Sequence, residues 1–434
     1  MRTALAAALL VACVPSLGLA QEAPAAAPAP GPAPGDEVIA LRAGKVLTMN
    51  ARDEVLDHAV VLIRAGKIVA VGPAGSVAVP AGAREVDARD AWVVPGFIDC
   101  HDHVAGSLSD LNDGVYLTNP GLRTIDTLAP ENDALKDALA GGVTTVLLLP
   151  GSGNNMGGFG TVTRTAGRTQ ADMTVRAPGS IKIAQAGNPE RYWFGVGRSY
   201  MNWNLAQTLE KARVYHAAWT TWEEARARAD QGKGPPPPPP PAVDLAWEDF
   251  RALFRREFPA AVHTQMFQVV NKTITMLNDR FGIRVVLDHS TFDGFKNARL
   301  VAERPELVTV CGPRQFYFDR AEGRIVGVAA RWLENGAREV GINTDAPVVP
   351  QEELSLQAAL GCRLGLDPYQ ALRGLTIVPA RALMVDDFLG SIEVGKDADL
   401  GVWTGDPIDP RQSCRLTLVK GQVVHDAARG RRRF

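Results

Sequence analysis

The sequence is poor in cysteine and aromatic residues, and it carries no excess of positive charge. Five cysteines in 434 residues are too few and too scattered for a disulfide framework. Proteins that bind nucleic acid usually carry an excess of positive charge, whereas this chain has a formal net charge of −2. We therefore expect no nucleic-acid partner. The apolar runs are too short for a membrane-spanning helix, and we expect no transmembrane segment.

The composition is that of a globular protein with a large core. Hydrophobic residues make up 46% of the chain and charged residues 22%. This length allows either two or three average domains or one large barrel with a smaller attached domain. We expect buried free thiols at the four cysteines beyond the N-terminal segment, which are Cys100, Cys311, Cys362 and Cys414.

The N-terminal segment has the pattern of an export signal. Residues 1–20 contain an apolar stretch over 4–14 and small residues before a cleavage site after Ala20. Residues 21–35 are nearly all Ala, Pro and Gly, which predicts a linker. We therefore expect a periplasmic or secreted protein. The alternative is a lipid anchor at Cys13, which ends a short lipoprotein-like box.

The pattern of strands divides the remaining chain into two parts. Short alternating strands over 36–93 return after 384 and continue to 434, which predicts a small β-sandwich domain built from both terminal segments. Between them, over 94–383, apolar strands alternate with helical segments. This alternation predicts a distorted TIM-type (β/α)8 barrel. A proline-rich insertion near 231–242 interrupts the barrel, and we interpret it as an exposed spacer.

The most informative motif is the pair His101 and His103 at the end of an apolar strand. Side chains alternate along a strand, so both histidines point to one face while Asp102 points to the other. Two neutral imidazoles on one face form half of a divalent-metal site. The alternative is a pair of surface histidines at a strand–loop junction.

Four further polar residues lie at or near the ends of later strands of the predicted barrel. They are Lys182, His263, His289 and Asp345. The carboxyl ends of barrel strands surround one mouth, where the chemistry of such barrels gathers. These side chains are therefore expected to converge on one or two metal ions. The alternatives are core-capping histidines, a surface lysine and an aspartate that caps a helix.

Several motifs make the chain similar to the amidohydrolase superfamily of metal-dependent hydrolases. The family-wide motifs lie at residues 95–103, 141–146, 343–347, 376–383 and 390–400. Residues 150–158 and 181–184 are further similar to a subgroup that includes imidazolonepropionase and barrel dipeptidases. The resemblance covers almost all of the chain beyond the predicted signal, and it implies the barrel fold with a mouth-side metal centre.

The resemblance also implies a set of metal ligands. His101 and His103 would hold the first metal ion. His263 and His289 would hold a second ion, or they would complete a single site with Asp345. The expected metal is zinc.

The resemblance implies roles in catalysis as well. Lys182, if carboxylated by CO₂, would bridge two metals. Asp345 would act as general base on a water that the metal activates, and it would carry the proton to the leaving nitrogen. The predicted reaction is hydrolysis of a C–N bond in a small amide, cyclic amide or short peptide.

Three positions depart from the subgroup pattern. Gly187 stands where the subgroup often has glutamate, Arg164 where it often has lysine, and Gln265 where it often has a second histidine. These departures leave the number of metals and the substrate open. Family deaminases carry a glutamate at the place of Met266, which argues against deamination.

The remaining predictions concern the pocket and the alternatives. Arg314, after the seventh strand, is a candidate clamp for a substrate carboxylate. The glycine-rich residues 151–160 are interpreted as a mobile wall of the pocket. A lactonase or phosphotriesterase, and a non-catalytic barrel that partners an active paralogue, are the rival functions. We expect a small-molecule substrate. Because related barrels often assemble, we also expect a homo-oligomer.

Overall fold

The computed structural model describes residues 37–107 and 112–429. The predicted export signal, the linker and the lipid-anchor alternative at Cys13 lie outside these residues. Within the described part, no helix is long and apolar enough to cross a membrane.

Most strands belong to one of two large sheets. In chain order the strands are β1 (Val38–Leu47), β2 (Val55–Arg64), β3 (Lys67–Pro73), β4 (Arg84–Pro95), β5 (Phe97–Asp102), β6 (Val143–Leu148), β7 (Met156–Arg164), β8 (Thr174–Ala184), β9 (Ala260–Thr264), β10 (Val285–His289), β11 (Leu307–Cys311), β12 (Phe316–Asp319), β13 (Arg324–Gly327), β14 (Gly341–Ile342), β15 (Leu400–Trp403), β16 (Cys414–Val419) and β17 (Gln422–Asp426). Strands β12 and β13 form a separate hairpin.

Helices cover the outside of the barrel and connect its strands. The α-helices are α1 (Asp133–Ala140), α2 (Gln170–Met173), α3 (Asn188–Tyr192), α4 (Arg198–Asp230), α5 (Glu248–Phe254), α6 (Phe267–Thr273), α7 (Ala298–Ala302), α8 (Val328–Glu334), α9 (Leu354–Arg363), α10 (Pro368–Arg373) and α11 (Ile377–Ala382). Short 3₁₀ turns lie at Thr124–Thr127, Gly294–Asn297 and Gln351–Glu353, and a π-helical segment at Ile274–Arg280.

Eight strands form the nearly closed sheet of the predicted (β/α)8 barrel. Their order is β14-β11-β10-β9-β8-β7-β6-β5. A parallel bridge between Asp102 and Ala346 joins the two ends of the sheet. Strands β9, β10 and β11 are buried along their whole length, as expected for apolar parallel strands that are covered on both faces.

Strand β7 runs antiparallel to both of its neighbours. The connection from β6 spans only residues 149–155 and contains no helix, so the chain cannot make the long crossover that a parallel neighbour needs. The interpretation of residues 151–160 as a mobile wall was therefore wrong in part. Residues 156–160 pair in the barrel sheet.

The terminal segments form one seven-stranded mixed sheet, in the order β17-β16-β15-β4-β1-β2-β3. Strands β4 and β15, from opposite ends of the chain, pair antiparallel at its centre. Hydrophobic clusters that include Leu41 and Ala40 cover its two faces. The domain boundaries given by the sequence stay predictions.

Buried ion pairs link the barrel to the terminal sheet. Nε of Arg164, at the end of β7, lies 3.0 Å from Oδ2 of Asp399. Its Nη2 lies 2.5 Å from Oδ2 of Asp397, whose Oδ1 also pairs with Lys67 at 2.5 Å. The arginine that departs from the subgroup pattern therefore serves this junction and lies away from the predicted metal centre.

The long helix α4 carries the proline-rich insertion. Its first half is buried through residues such as Leu205 and Leu209, whereas most of its second half is exposed. The indole nitrogen of Trp222 donates to the carbonyl of Pro238 at 2.8 Å. The proline run is exposed, as predicted, but it lies against this helix.

The cysteines of the described residues are free thiols, as predicted. Cys100, Cys311 and Cys414 are buried. Cys362 is only half-buried.

Candidate metal centre

His101 and His103 converge at the carboxyl end of β5, as the alternation of the strand predicts. Their Nε2 atoms are 3.2 Å apart, and the residues are 0% and 6% exposed. Asp102 points to the other face, where its carboxylate accepts from the backbone N–H groups of Val104 and Ala105. The two imidazoles are therefore presented together to the barrel mouth.

Asp345 meets both histidines from the other side of the barrel seam. Its Oδ1 lies 3.3 Å from Nε2 of His101 and 3.2 Å from Nε2 of His103. The ligand atoms of these three residues lie within 4.8 Å of one another. Asp345 has a left-handed backbone, with φ +53°, a conformation that non-glycine residues adopt mainly where the surroundings impose it.

The other three candidates lie directly beside this cluster. Nζ of Lys182 is 2.8 Å from Nε2 of His101. The ring of His289 is 4.5 Å from the rings of both His101 and His263, measured between centroids. The structure thus brings together all the residues that the sequence selected as metal ligands.

The hydrogen bonds of the imidazoles leave nitrogens free for a metal ion. Nδ1 of His103 bonds the carbonyl of Leu149 at 2.9 Å, and Nδ1 of His289 bonds that of Gly312 at 2.8 Å, so each ring keeps Nε2 available. Both nitrogens of His263 are buried and form no hydrogen bond with any described residue. Unpaired buried nitrogens are costly, and imidazole nitrogens with a carboxylate are zinc-type donors. These residues fit a divalent ion.

Burial sets the charge state of the cluster. It lowers the pKa of His101, His263 and His289, which favours the neutral imidazole that binds metal. Burial likewise lowers the pKa of the Lys182 amine. Burial alone would raise the pKa of Asp345, but the neighbouring histidines and lysine outweigh it, so that its pKa is lowered. Asp345 is therefore a carboxylate.

Comparison with known proteins identifies the family. The Amidohydrolase family model matches residues 276–426. Imidazolonepropionase of Pseudomonas entomophila (strain L48) is 26% identical over 374 residues, which are 81% of this chain and 89% of that protein. The crystal structure of an amidohydrolase from Thermotoga maritima MSB8 has a TM-score of 0.74 at 27% identity, and the match covers 89% of this chain and 100% of that one. The chain belongs to the amidohydrolase superfamily.

A further relative of this amidohydrolase is much longer. Amidohydrolase tasK of Hapsidospora irregularis is 27% identical over 386 residues, which are 80% of this chain. The chain spans only 38% of that protein's length. Family membership confirms the prediction that the protein is a hydrolase.

Sequence reasoning missed Asp288, which lies against the candidate metal centre of this amidohydrolase. Its Oδ2 lies 3.3 Å from Nδ1 of His101, and it is fully buried. Asp288 pairs with His263 across β9 and β10, so both side chains share one face of the sheet. The signal available in the sequence was its position, because Asp288 directly precedes His289 at the end of a predicted strand. Burial raises the pKa of Asp288, whereas the Lys182 charge opposes this rise.

Asp99 is a second residue that sequence reasoning missed. Its Oδ1 accepts from the backbone N–H of His101 at 3.0 Å. Its Oδ2 accepts from the hydroxyl of Thr344 at 2.5 Å and from the amide of Gln351 at 3.4 Å. Burial raises its pKa to about 6. This carboxyl group ties the histidine strand of the amidohydrolase to the turn that carries Asp345.

Arg314 lies at the rim, outside the ligand cluster. It follows β11 and is two residues beyond Gly312, whose carbonyl bonds His289. The residue is exposed, and its guanidinium carbon lies 5.6 Å from the ring centroid of Phe292. It forms no ion pair with any carboxylate of the described residues. Its charge therefore remains available to a ligand.

The segment after β8 forms one wall of the mouth. A Cβ atom on Gly187 would lie 3.5 Å from Nε2 of His263. The side-chain amide of Asn188 donates to the hydroxyl of Ser152 at 2.8 Å. The indole N–H of Trp193 donates to the backbone carbonyl of Gly153 at 3.0 Å. These contacts hold the wall close to the candidate metal ligands.

Proposed function

We propose that this amidohydrolase cleaves a C–N bond in a small amide, cyclic amide or short peptide, with one or two divalent metal ions. The observation that carries the proposal is the cluster of His101, His103 and Asp345, whose ligand atoms lie within 4.8 Å. Zinc is the expected metal because the donors are imidazoles and a carboxylate. The relatives named imidazolonepropionase support a C–N substrate.

In this proposal, His101, His103, His263 and His289 hold the metal together with Asp345. When bound, a divalent ion there would polarise the substrate carbonyl and lower the pKa of the attacking water to about 7. Asp345 accepts the proton of that water at a carboxylate oxygen, and then delivers it to the leaving nitrogen. Its lowered pKa keeps the carboxylate in the form that can accept the proton.

We propose that Lys182 carries a carboxylate formed with CO₂ and helps to hold a second metal ion. Its amine is fully buried and lies 2.8 Å from Nε2 of His101, so a carboxylated side chain would reach the same cluster. A single-metal site in which Lys182 stays an amine is the alternative. Metal stoichiometry distinguishes the two.

We propose that Arg314 binds a carboxylate of the substrate. Its support is the exposed guanidinium at the rim of the mouth, which has no acidic partner among residues 37–107 and 112–429. A planar guanidinium binds a carboxylate through two parallel hydrogen bonds, which orients the substrate as well as binding it.

We also propose that the mature protein acts in the periplasm or outside the cell, on the pattern of residues 1–20 alone. We propose that residues 36–93 and 384–434 form a separate small β-domain. The hydrophobic clusters on both faces of its seven-stranded sheet support this, and the two-sheet sandwich arrangement stays a prediction. A homo-oligomer remains the proposal for the assembly.

Metal analysis and a substrate screen test the proposed function. The purified protein should contain one or two equivalents of zinc or a similar ion, and it should hydrolyse at least one dipeptide, N-acyl amino acid or cyclic amide. His101→Ala should lose both properties, whereas His58→Ala, at an exposed strand residue, should lose neither. Cleavage of lactones or phosphotriesters alone would overturn the C–N assignment. A folded protein without metal or any hydrolysis would indicate the non-catalytic barrel.

A further inference from the structure

A cavity of about 510 Å³ lies at the end of the barrel opposite the metal centre. Its wall includes Arg164, which pairs with Thr145 near the start of β6, whereas the candidate ligands lie at the carboxyl ends of the strands. The loop after β7 and the β16–β17 hairpin complete the wall. A cavity of this size is sufficient for a small-molecule ligand.

The largely buried guanidinium of Arg164 lines this cavity, and one of its nitrogens makes no hydrogen bond with any described residue. Arg164 is 4% exposed, and its Nε and Nη2 bind the carboxylates of Asp399 and Asp397. Its Nη1 has no hydrogen-bond partner among the described residues. An N–H group on a cavity wall that has no protein acceptor is free to donate to a bound ligand.

Two further cationic side chains line the cavity without acidic partners in the described part of the chain. They are Arg168 and Lys420. The acid on this wall, Asp172, uses its carboxylate in the capping box of α2, where it accepts from the backbone N–H of Thr169. Since Asp397 and Asp399 are already paired, the charge that remains over the cavity is positive.

The loop between these groups offers backbone donors. The N–H groups of Ala166, Gly167 and Arg168 form no hydrogen bond with any described residue. Unpaired backbone N–H groups on the wall of a cavity are free to donate to a bound anion. The donors therefore match the sign of the side-chain charges.

We propose that this cavity is a binding site for a small dianion of the phosphate or dicarboxylate class. The anion accepts from the loop N–H groups and from Arg164, while Arg168 and Lys420 neutralise its charge. Because its wall contains both the barrel and the terminal sheet, a bound anion holds the two together. The site is remote from the metal centre, so binding is expected in metal-free protein as well.

Thermal unfolding and calorimetric titration of the purified full chain test this site. Inorganic phosphate and malonate are each added at constant ionic strength, with sodium chloride as the reference. We expect saturable binding of at least one of them and a rise in the unfolding temperature. Stronger binding of inorganic phosphate would identify the phosphate class, and stronger binding of malonate the dicarboxylate class.

Two double variants make the test specific. Arg168→Ala with Lys420→Ala should weaken anion binding about tenfold or more, in line with the loss of two charge-assisted contacts. The matched control is Lys272→Ala with Arg299→Ala, which should bind like the unaltered protein. These are two exposed cations on α6 and α7 that form no ion pair within the described part of the chain. Equal binding by both variants, or no binding beyond that of chloride, would overturn the proposal.

Discussion

Nδ1 of His101 lies 3.3 Å from Oδ2 of Asp288, and both side chains are fully buried. The other ring nitrogen, Nε2, faces His103 and Asp345. Nδ1 and the Asp288 carboxyl form no hydrogen bond with any described residue, so each is the nearest polar group open to the other. Because metal-binding histidines commonly donate the second ring N–H to a carboxylate, which fixes the tautomer and the ring position, we predict that Asp288 is a positioning residue for the candidate metal centre.

The first prediction concerns Asp288→Asn. The amide keeps the shape of the side chain but replaces the carboxyl group that faces Nδ1 of His101, so we expect metal affinity to fall about 10- to 100-fold. Competition with a chromophoric chelator measures this affinity. Asp279→Asn, which alters an exposed carboxylate paired with Arg304, is the control. Unchanged affinity in the Asp288 variant would show that the contact does not position the ligand.

The second prediction concerns Arg314→Ala. If the guanidinium binds a substrate carboxylate, KM should rise about tenfold or more for substrates that carry a carboxylate, because a charge-assisted hydrogen bond contributes about 1.5–3 kcal/mol. The kcat value should change little, since Arg314 lies outside the ligand cluster. The matching substrate with a methyl ester should be hydrolysed equally by both proteins. A fall in kcat for both substrates would contradict the proposed role.

The third prediction concerns stability at the junction between barrel and terminal sheet. Arg164→Ala leaves Asp399 and Asp397 in buried positions with less compensating charge, so we expect a loss of about 3–5 kcal/mol in the free energy of unfolding. Denaturant titration measures this loss. Arg411→Ala, which removes an exposed partner of Asp409, should change the unfolding midpoint little.

The fourth prediction concerns the free thiols. Burial raises the pKa of Cys362 to about 11 and that of Cys414 to about 12. Because the thiolate is the reactive form, a rise of about two units makes labelling of Cys362 at pH 8 about a hundredfold slower than for an ordinary thiol. Iodoacetamide treatment followed by peptide mass analysis should detect slow labelling at Cys362 alone among Cys100, Cys311, Cys362 and Cys414. Rapid native labelling at Cys414 would contradict the burial described above.

The candidate ligands could be found from the sequence because each one lies at or near the carboxyl end of a strand. Alternation along β5 placed His101 and His103 on one face, and the structure brings them within 3.2 Å. The antiparallel β7 could not be found in this way, because its glycines have the pattern of a loop. Asp288 was missed because its partner, His101, is distant in the sequence and only the closed barrel brings the two together.

The sequence by itself determined the barrel fold, the family and the side chains that point into the mouth, since these follow from strand periodicity and local motifs. Only the tertiary structure decided how those side chains are held. Asp99 closes the seam beside Asp345, and the role of Arg164 at the barrel base depends on acids more than 200 residues away. Such contacts form only when segments that are distant in the sequence fold against each other. A local pattern of residues therefore cannot predict them.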